Sequence, residues 1–561
     1  MTVESTTAPE RRLAPRLAAI WHREWLIVAL LILLAAAVRV WLSSAARVVW
    51  GDEPFYLWLG RNWLTGQGYS FTGYSDVHHA PLYPLLTGLF YLLTHDMALS
   101  SRLCYILFGA ALGLPIYAIA RELYDRRAGV IALLLLAFYP ALTAGVLYWG
   151  TLTEPPYYFF IYTGLYAALL ALRQKWAPWS YLAAGMCFAL AYLTRPEAIA
   201  HLLIIGAVLA FIPLLERRLF TRRALVGLAL YGLGFALFFF PYAYYTFQHT
   251  GSWMVSEKAG VTFITCIGLS SGDTAAFDLA TWGLDGTGLE VFFFSRESYN
   301  VSMLDYILAF PAEFAQLVYR NVITFFTSLV SLRLFPFFLL PFVTLALWRE
   351  AWSKERAKGE LLLLASLLPV AGFLIFFIQD RYIATLLPTL ILWLAVGLRD
   401  VGDWLAETWR NLRQRGLAPW WRATLLALPV AAALVICLAL LPRTLANVTS
   451  SGSFRQAHRT VGEWLGKGLA APETVIMSRY PALAFHAGAK WVPTPNAEWQ
   501  DILPYARHKG VDLFIVDERE TTELRPQLDF LVRLENLPPE LEVLRVDESE
   551  PERLVVFRVK E

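Results

Sequence analysis

Two adjacent carboxylates, Asp52 and Glu53, stand just past an apolar run, within Trp50-Gly51-Asp52-Glu53-Pro54-Phe55-Tyr56. Carboxylates are costly in hydrocarbon and are usually functional when placed near it. There, one could take the proton of an attacking hydroxyl. The pair also fits a plain structural role, with Asp52 capping the next helix and Glu53 in its first turn. Further on come Glu154 before Pro155-Pro156, Arg195 before Pro196-Glu197, and Asp380-Arg381-Tyr382. Arginine binds phosphate through paired hydrogen bonds, so these residue types suit proton abstraction beside a bound phosphate. Asp76, His78 and His79 share one loop with the first pair and offer an alternative divalent-metal site.

Whether these groups meet depends on the elements that carry them. The chain has 561 residues, 57% hydrophobic and only 16% charged; soluble domains carry about a quarter. The composition reads as an α-helical polytopic membrane protein. Arg11, Arg12, Arg16 and Arg23 precede the first apolar run, Trp25 to Leu42, which reads as an uncleaved signal anchor. The positive-inside rule then puts the N-terminal segment, 1–24, in the cytoplasm. Keeping every later basic loop inside gives about 11 transmembrane helices, within roughly 9 to 13. The transmembrane domain covers 25–448, with external loops 43–100 and 248–311. Leu57 to Leu64 and Pro81 to Leu93 are expected in the outer interface, and Arg399 to Arg415 as a cytoplasmic surface helix. Pro140 and Pro241 are expected to kink their helices.

From 449 to 561 the composition changes to that of a small extracytoplasmic α/β domain. Strands are expected at Thr474–Met477, Asp512–Val516, Leu541–Val546 and Leu554–Val559. Helices are expected at Phe454–Leu465, Ala497–His508 and Thr522–Leu531. Cys104, Cys187 and Cys437 lie in apolar runs and Cys266 in a polar loop. Without a Cys-x-x-Cys, neither a disulfide framework nor a thiolate metal site is expected. No Walker loop, serine nucleophile elbow or zinc-protease helix occurs. The net charge of +2 gives no reason to expect nucleic acid.

This topology places Asp52, Glu53, Asp76, His78, His79, Glu154, Arg195, Glu197, Lys258, Asp380 and Arg381 on the outer side. Carboxylates and guanidinium groups at headgroup level suit a lipid-phosphate sugar donor, with a carboxylate as base for the acceptor hydroxyl. Each group also has a plain reading. Arg195 and Arg381 fit interface anchors, Glu154 a first-turn helix carboxylate, and Lys258 a solvated loop charge. A transporter or flippase of a lipid-linked saccharide would need similar charges, although no paired repeat is visible. A non-catalytic scaffold is a third reading.

Gly51-Asp52-Glu53, the Gly66-x-Gly68-Tyr69 turn and Pro81-Leu82-Tyr83-Pro84 resemble the first external loop of class C glycosyltransferases. The branch is that of protein O-mannosyltransferases and the lipid A aminoarabinose transferase, sometimes called family 39-like. Leu152-Thr153-Glu154-Pro155 resembles that family's second acidic position. Leu193-Thr194-Arg195-Pro196-Glu197 and Asp380-Arg381-Tyr382, with Leu386-Leu387-Pro388 following, resemble its later motifs. The resemblance covers roughly Trp25 to Leu398. It implies the class C membrane fold and sugar transfer from a polyprenyl-phosphate donor to an acceptor hydroxyl on the outer face, with inversion. By that carry-over Asp52 is the base, Glu53 assists it and Glu154 orients acceptor or base. Arg195 and Arg381 would hold the donor phosphate; Tyr382, His78, His79 and Lys258 are further substrate-binding candidates from their place on the outer side rather than from the resemblance. The resemblance implies no required cofactor, although oligosaccharyltransferase relatives use a divalent metal. The acceptor could be lipid, glycan or protein. The family points to a bacterial inner membrane. The Asp76-x-His78-His79 stretch departs from the pattern, and the C-terminal domain does not match the mannosyltransferases' β-trefoil insert.

Overall fold

Helices make up most of the described chain, and several are long and apolar enough to cross a membrane. The structure is a computed structural model that describes residues 13–44, 48–71, 74–149, 152–175, 178–253, 263, 274–300, 302–413, 419–450, 452–548 and 553–560. Among the described residues seven stretches qualify: Glu24–Ser44, Met97–Leu123, Ala198–Leu215, Arg222–Thr250, Lys354–Ile375, Asp380–Leu412 and Trp420–Ala446. Shorter apolar helices cover Leu82–Thr94, Trp179–Thr194 and Phe337–Trp348.

Part of the distance from the expected eleven is broken helix. One expected span divides into Arg126–Phe138, a tight turn at Pro140–Leu142 and Ala144–Tyr148. Proline supplies no N–H and clashes with the preceding turn, so the helix ends before Pro140. Pro241, in contrast, sits inside the unbroken helix Arg222–Thr250. The expected surface helix from Arg399 is not separate. It continues the Leu387–Arg413 helix through Gly397 and Gly402, whose missing side chains admit the Phe342 and Leu426 backbones, and no proline interrupts it.

The first loop is built from α1 (Leu13–Ser44), α2 (Glu53–Leu64), the short strands β1 (Ser70–Phe71) and β2 (Tyr74–Ser75), and α3 (Leu82–Thr94). Gly51 adopts φ +66° and turns the chain into α2, a conformation open to glycine at little cost. α2 and α3 pack closely at Gly60 and Gly88. A Cβ on Gly60 would lie 2.2 Å from the Pro84 carbonyl oxygen, so only glycine permits the approach.

The C-terminal sheet runs β4-β3-β5-β7-β6, from β3 (Val475–Ser478), β4 (Lys490–Pro493), β5 (Leu513–Asp517), β6 (Leu541–Asp547) and β7 (Leu554–Val559). β3 pairs parallel with β4 and β5, and β7 antiparallel with β5 and β6. The four expected strands form within a residue or so. The Thr522–Leu531 helix divides into Glu518–Leu524 and Asp529–Arg533, separated at Pro526. Strand β4 and the Pro481–Ala487 helix were not expected, each being too short to show a period.

Strand alternation splits this sheet's apolar residues onto two faces. Met477, Val492, Phe514, Val516, Val555 and Phe557 face a core with Ile502 and Tyr505. Ile476, Trp491, Leu513, Ile515, Leu554 and Val556 face a second core. That second core contains Phe55, Leu57, Trp58 and Leu59 of α2. The apolar face of α2 is therefore packed on the sheet rather than offered to lipid. Its apolar positions are buried under the sheet, and helical period alone cannot tell which apolar partner a face meets. Fully burying each such side chain contributes about 1.5–3 kcal/mol.

Candidate active site

Asp52 occupies the N-cap position of α2, yet its carboxylate makes no capping hydrogen bond to the helix. Of the structural role open in the sequence, the cap position and the first-turn carboxylate are present and only the capping bond is missing. Glu53 is fully buried in the first turn. One turn on from Asp52, Tyr56 lies on the same face of α2. Its phenol lies within electrostatic reach of Asp52, Glu154, Arg195 and Arg381, so four separated stretches of sequence converge on it. Burial first, and then the charge of Asp52, push this phenol above its usual range, with Arg195 and Arg381 opposing. Tyr56 therefore stays a hydroxyl donor at neutral pH.

Glu154 opens the helix Glu154–Leu172 and is fully buried. Its Oε1 accepts from Arg195 Nη1 at 2.7 Å, and Arg195 also pairs with Glu197 and reaches Thr153 Oγ1 at 3.4 Å. Leu152, two residues before Glu154, is buried at φ +55°. A bulky residue held there costs on the order of 1–3 kcal/mol and persists only where surrounding packing fixes it. The strain sits beside the acidic position, where it constrains the path into that helix.

Arg195 and Arg381 flank one aromatic ring. Their guanidinium carbons lie 5.3 Å and 4.9 Å from the centroid of Tyr382, which stacks on Phe373 at 4.2 Å. Tyr158 donates to the Arg381 carbonyl at 3.0 Å and ties that turn to the Glu154 helix. Arg381 donates to Tyr382 Oη at 3.0 Å, and its Nε has no hydrogen-bond partner. Among the described residues no carboxylate forms an ion pair with Arg381, while Arg195 has two. Burial opposes the charge on Arg381, but Tyr382, Glu154 and Asp52 nearby favour it, so its unpartnered Nε belongs to a stable cation of the kind that binds phosphate.

His79 and Asp76 pair with each other: His79 Nδ1 lies 3.0 Å from Asp76 Oδ2, and the His79 N–H donates to Oδ1 at 2.8 Å. Burial opposes the charge on Asp76, but the histidine charges and the hydrogen bonds from His79 outweigh it and hold the carboxyl below its usual range. The His79 ring meets Tyr56 edge-on at 5.0 Å, one layer behind the convergence point. His78 stacks on Phe293 at 4.7 Å. The alternative metal site at Asp76, His78 and His79 does not assemble. Among the described residues no group of three His, Cys, Asp or Glu side chains is placed to hold a metal ion. The physical reason is that Asp76 is spent on His79 and His78 on phenyl rings. Lys258 lies outside the described residues.

Tyr56, Tyr158 and Tyr157, whose ring centroid lies 5.6 Å from the Arg195 guanidinium carbon, are the site residues that sequence reasoning missed. The Asp52-to-Tyr56 spacing on one helix face was the available signal for the first. Two residues before Asp52, Trp50 packs on Tyr480 at 4.6 Å and His458 at 5.1 Å, with Arg455 over its ring at 5.9 Å. The C-terminal unit thus grips the backbone that presents Asp52.

A sequence model of the dolichyl-phosphate-mannose-protein mannosyltransferase family matches residues 78–245, a stretch with Glu154 and Arg195 but without Asp52 or Arg381. No curated protein matches the sequence. Among solved structures, apo ArnT from Cupriavidus metallidurans is similar with TM-score 0.57 and 13% identity, over 96% of this chain and 98% of that one. The same protein bound to undecaprenyl phosphate gives 0.56 at 12% identity, over 95% and 97%. The apo oligosaccharyltransferase of Archaeoglobus fulgidus gives 0.55 at 17% identity, over 89% of this chain and 70% of that one.

Proposed function

From a chain that has the class C glycosyltransferase fold and is an integral membrane protein, we propose transfer of a sugar from a polyprenyl-phosphate donor to an acceptor hydroxyl, with inversion. The observation that carries this reading is the convergence of Asp52, Glu154, Arg195 and Arg381 on Tyr56, with Arg381 lacking a carboxylate partner. It also argues against a scaffold, which has no need of carboxylates and guanidinium groups gathered around one phenol. The similar ArnT structure holds undecaprenyl phosphate, and an archaeal oligosaccharyltransferase structure holds a dolichol-phosphate, which supports a lipid-phosphate donor here.

In this reading Asp52 accepts the acceptor O–H proton as the oxygen forms its bond to the anomeric carbon. The bond from that carbon to the phosphate oxygen breaks on the opposite side, and polyprenyl phosphate leaves with the electron pair. Arg381, with Arg195, holds the phosphate and stabilises the charge that grows on it. Glu154 fixes Arg195, and the protonated Tyr56 hydroxyl is available as a donor to the substrate. Glu53, buried next to Asp52 in the first turn, assists it. His79 braces Tyr56, and Tyr382 sets the spacing of the two guanidinium groups. Charge stabilisation by two arginines gives the reaction no need of a metal. By the positive-inside reading the site faces the outer side of the membrane with the N-terminus in the cytoplasm, and the family resemblance makes that membrane a bacterial inner one.

The test is sugar transfer in membranes, comparing wild type with Asp52→Asn at matched expression. Radiolabelled polyprenyl-phosphate sugars serve as donors, and membrane lipid, glycan and protein as acceptors. Wild type should transfer label, and Asp52→Asn should lose about a hundredfold or more of that rate. Equal transfer by both would make Asp52 structural. Passage of labelled lipid across reconstituted bilayers without transfer would favour the flippase reading.

A further inference from the structure

A pocket of about 610 Å³ lies between the far end of α2 and the sheet edge, lined by Arg61, Asn62, Gln67, Lys490, Lys509 and Glu473 among others. It is distinct from the Tyr56 cluster. Arg61 is nine residues from Asp52, about 14 Å along the helix at 1.5 Å per residue. The floor is apolar, with Trp58, Phe71 and Trp491. The rim carries hydroxyl and amide groups from Thr65, Asn62 and Gln67.

Its charge is one-sided. Three cations line it (Arg61, Lys490 and Lys509) against one carboxylate, Glu473. Lys490 pairs with Glu473 at 2.5 Å, and Lys509 with Glu290 at 2.6 Å, a carboxylate outside the lining. Arg61 is different. Its Nε donates to Asn62 Oδ1 at 3.0 Å, and Asn62 is itself fixed by donating to the Ser70 carbonyl at 2.8 Å. Among the described residues no carboxylate forms an ion pair with it. Burial opposes its charge and only Tyr91 counters. A part-buried guanidinium held through Nε presents its two terminal nitrogens as a fixed fork. Such a fork fits a carboxylate or phosphate. Pocket size suits a small ligand, and amides over an aromatic floor suit sugar hydroxyls and ring faces.

We propose that this pocket is a binding subsite for an anionic saccharide, a sugar bearing a carboxylate or a phosphate, with Arg61 as its anion anchor. Its biological sense as an acceptor-recognition site rests on the sugar-transfer reading, while its geometry does not. Bound there, the saccharide lies too far from Asp52 to react and serves recognition alone.

The test is calorimetric titration of the full chain in lipid nanodiscs with three probes: an oligogalacturonide, mannose 6-phosphate and neutral maltotriose. One anionic probe should bind and maltotriose should bind at least about tenfold more weakly; which anionic probe binds assigns carboxylate or phosphate. Arg61→Gln should weaken the binding probe about tenfold or more. Lys490→Gln, on the exposed edge, should weaken it less, and carries the test if Arg61→Gln fails to fold. Asp52→Asn should bind as wild type does. Failure of both anionic probes, equal binding of maltotriose, or unchanged binding by the Arg61 and Lys490 variants would overturn the proposal. Loss of binding in Asp52→Asn would move the ligand to the reaction centre and also overturn it. Binding with these dependences in a chain that transfers no sugar would leave the subsite standing and remove the transfer reading.

Discussion

Arg195 ties together two carboxylates and a shared aromatic ring, so its removal has separable consequences. Breaking a buried ion pair by deleting one partner costs about 3–5 kcal/mol, because the other charge stays buried uncompensated. Arg195→Met strands Glu154, which is fully buried, and Glu197. The expected outcome is a marked drop in thermal stability in detergent together with loss of transfer. Adding Glu154→Gln should restore much of the stability and none of the transfer, since the neutral amide needs no cation while the phosphate still does. A single variant as stable as wild type would show that Glu154 is not held as an ion. At this scale the sequence was informative about charged residues and silent about their partners. Asp52, Glu154, Arg195 and Arg381 stood out because charge near a membrane is costly. Tyr56 did not, since an aromatic residue in an apolar helix is ordinary until its neighbours are known.

Among the elements, α2 is where the sequence left the partner of an apolar face unread. Its apolar face was legible from period, but that face meets Trp491 and the sheet rather than headgroups. The contact carries a titratable group. His486, at the end of the Pro481–Ala487 helix, is held down to about 4, chiefly by burial, with the charges of Arg459 and His458 in the same direction. A hydrogen bond with the Val49 backbone and the charge of Glu463 oppose the shift. The unfolded histidine titrates near 6.5. Between about 6.5 and about 4 the unfolded state therefore binds a proton that the folded state refuses, so stability is full above that window and falls as pH drops through it. From pH 6.5 to pH 5 the loss should be at most about 2 kcal/mol. Hydrogen exchange of the β3 and β5 amides, corrected for intrinsic rates, should show this loss in wild type and a flatter profile in His486→Gln. Equal profiles would show that His486 is already protonated in the folded state.

For the whole molecule, the membrane class, the existence of a C-terminal α/β unit and four of its five strands were readable, because long apolar runs and alternating strands are local signals. What was not readable is that this unit and the first loop share one core. That depends on contacts between residues several hundred positions apart, which no local pattern encodes. Phe55, Leu57, Trp58 and Leu59 pack with Ile476, Trp491, Leu513 and Val556. Trp50 is gripped by Tyr480 and His458 two residues before Asp52. Removing residues 449–561 should then do more than delete an appendage. It would bare the apolar face of α2 and release Trp50, while the membrane helices, with their own separate core, lose no comparable packing. The truncated chain should keep its helical circular dichroism in detergent, lose hydrogen-exchange protection across α2, and lose sugar transfer. Retained transfer with an unprotected α2 would mean that the transmembrane bundle alone positions Asp52. Retained protection without transfer would instead assign the C-terminal unit to substrate recognition alone, because α2 would then be held by α3 through the Gly60–Gly88 crossing.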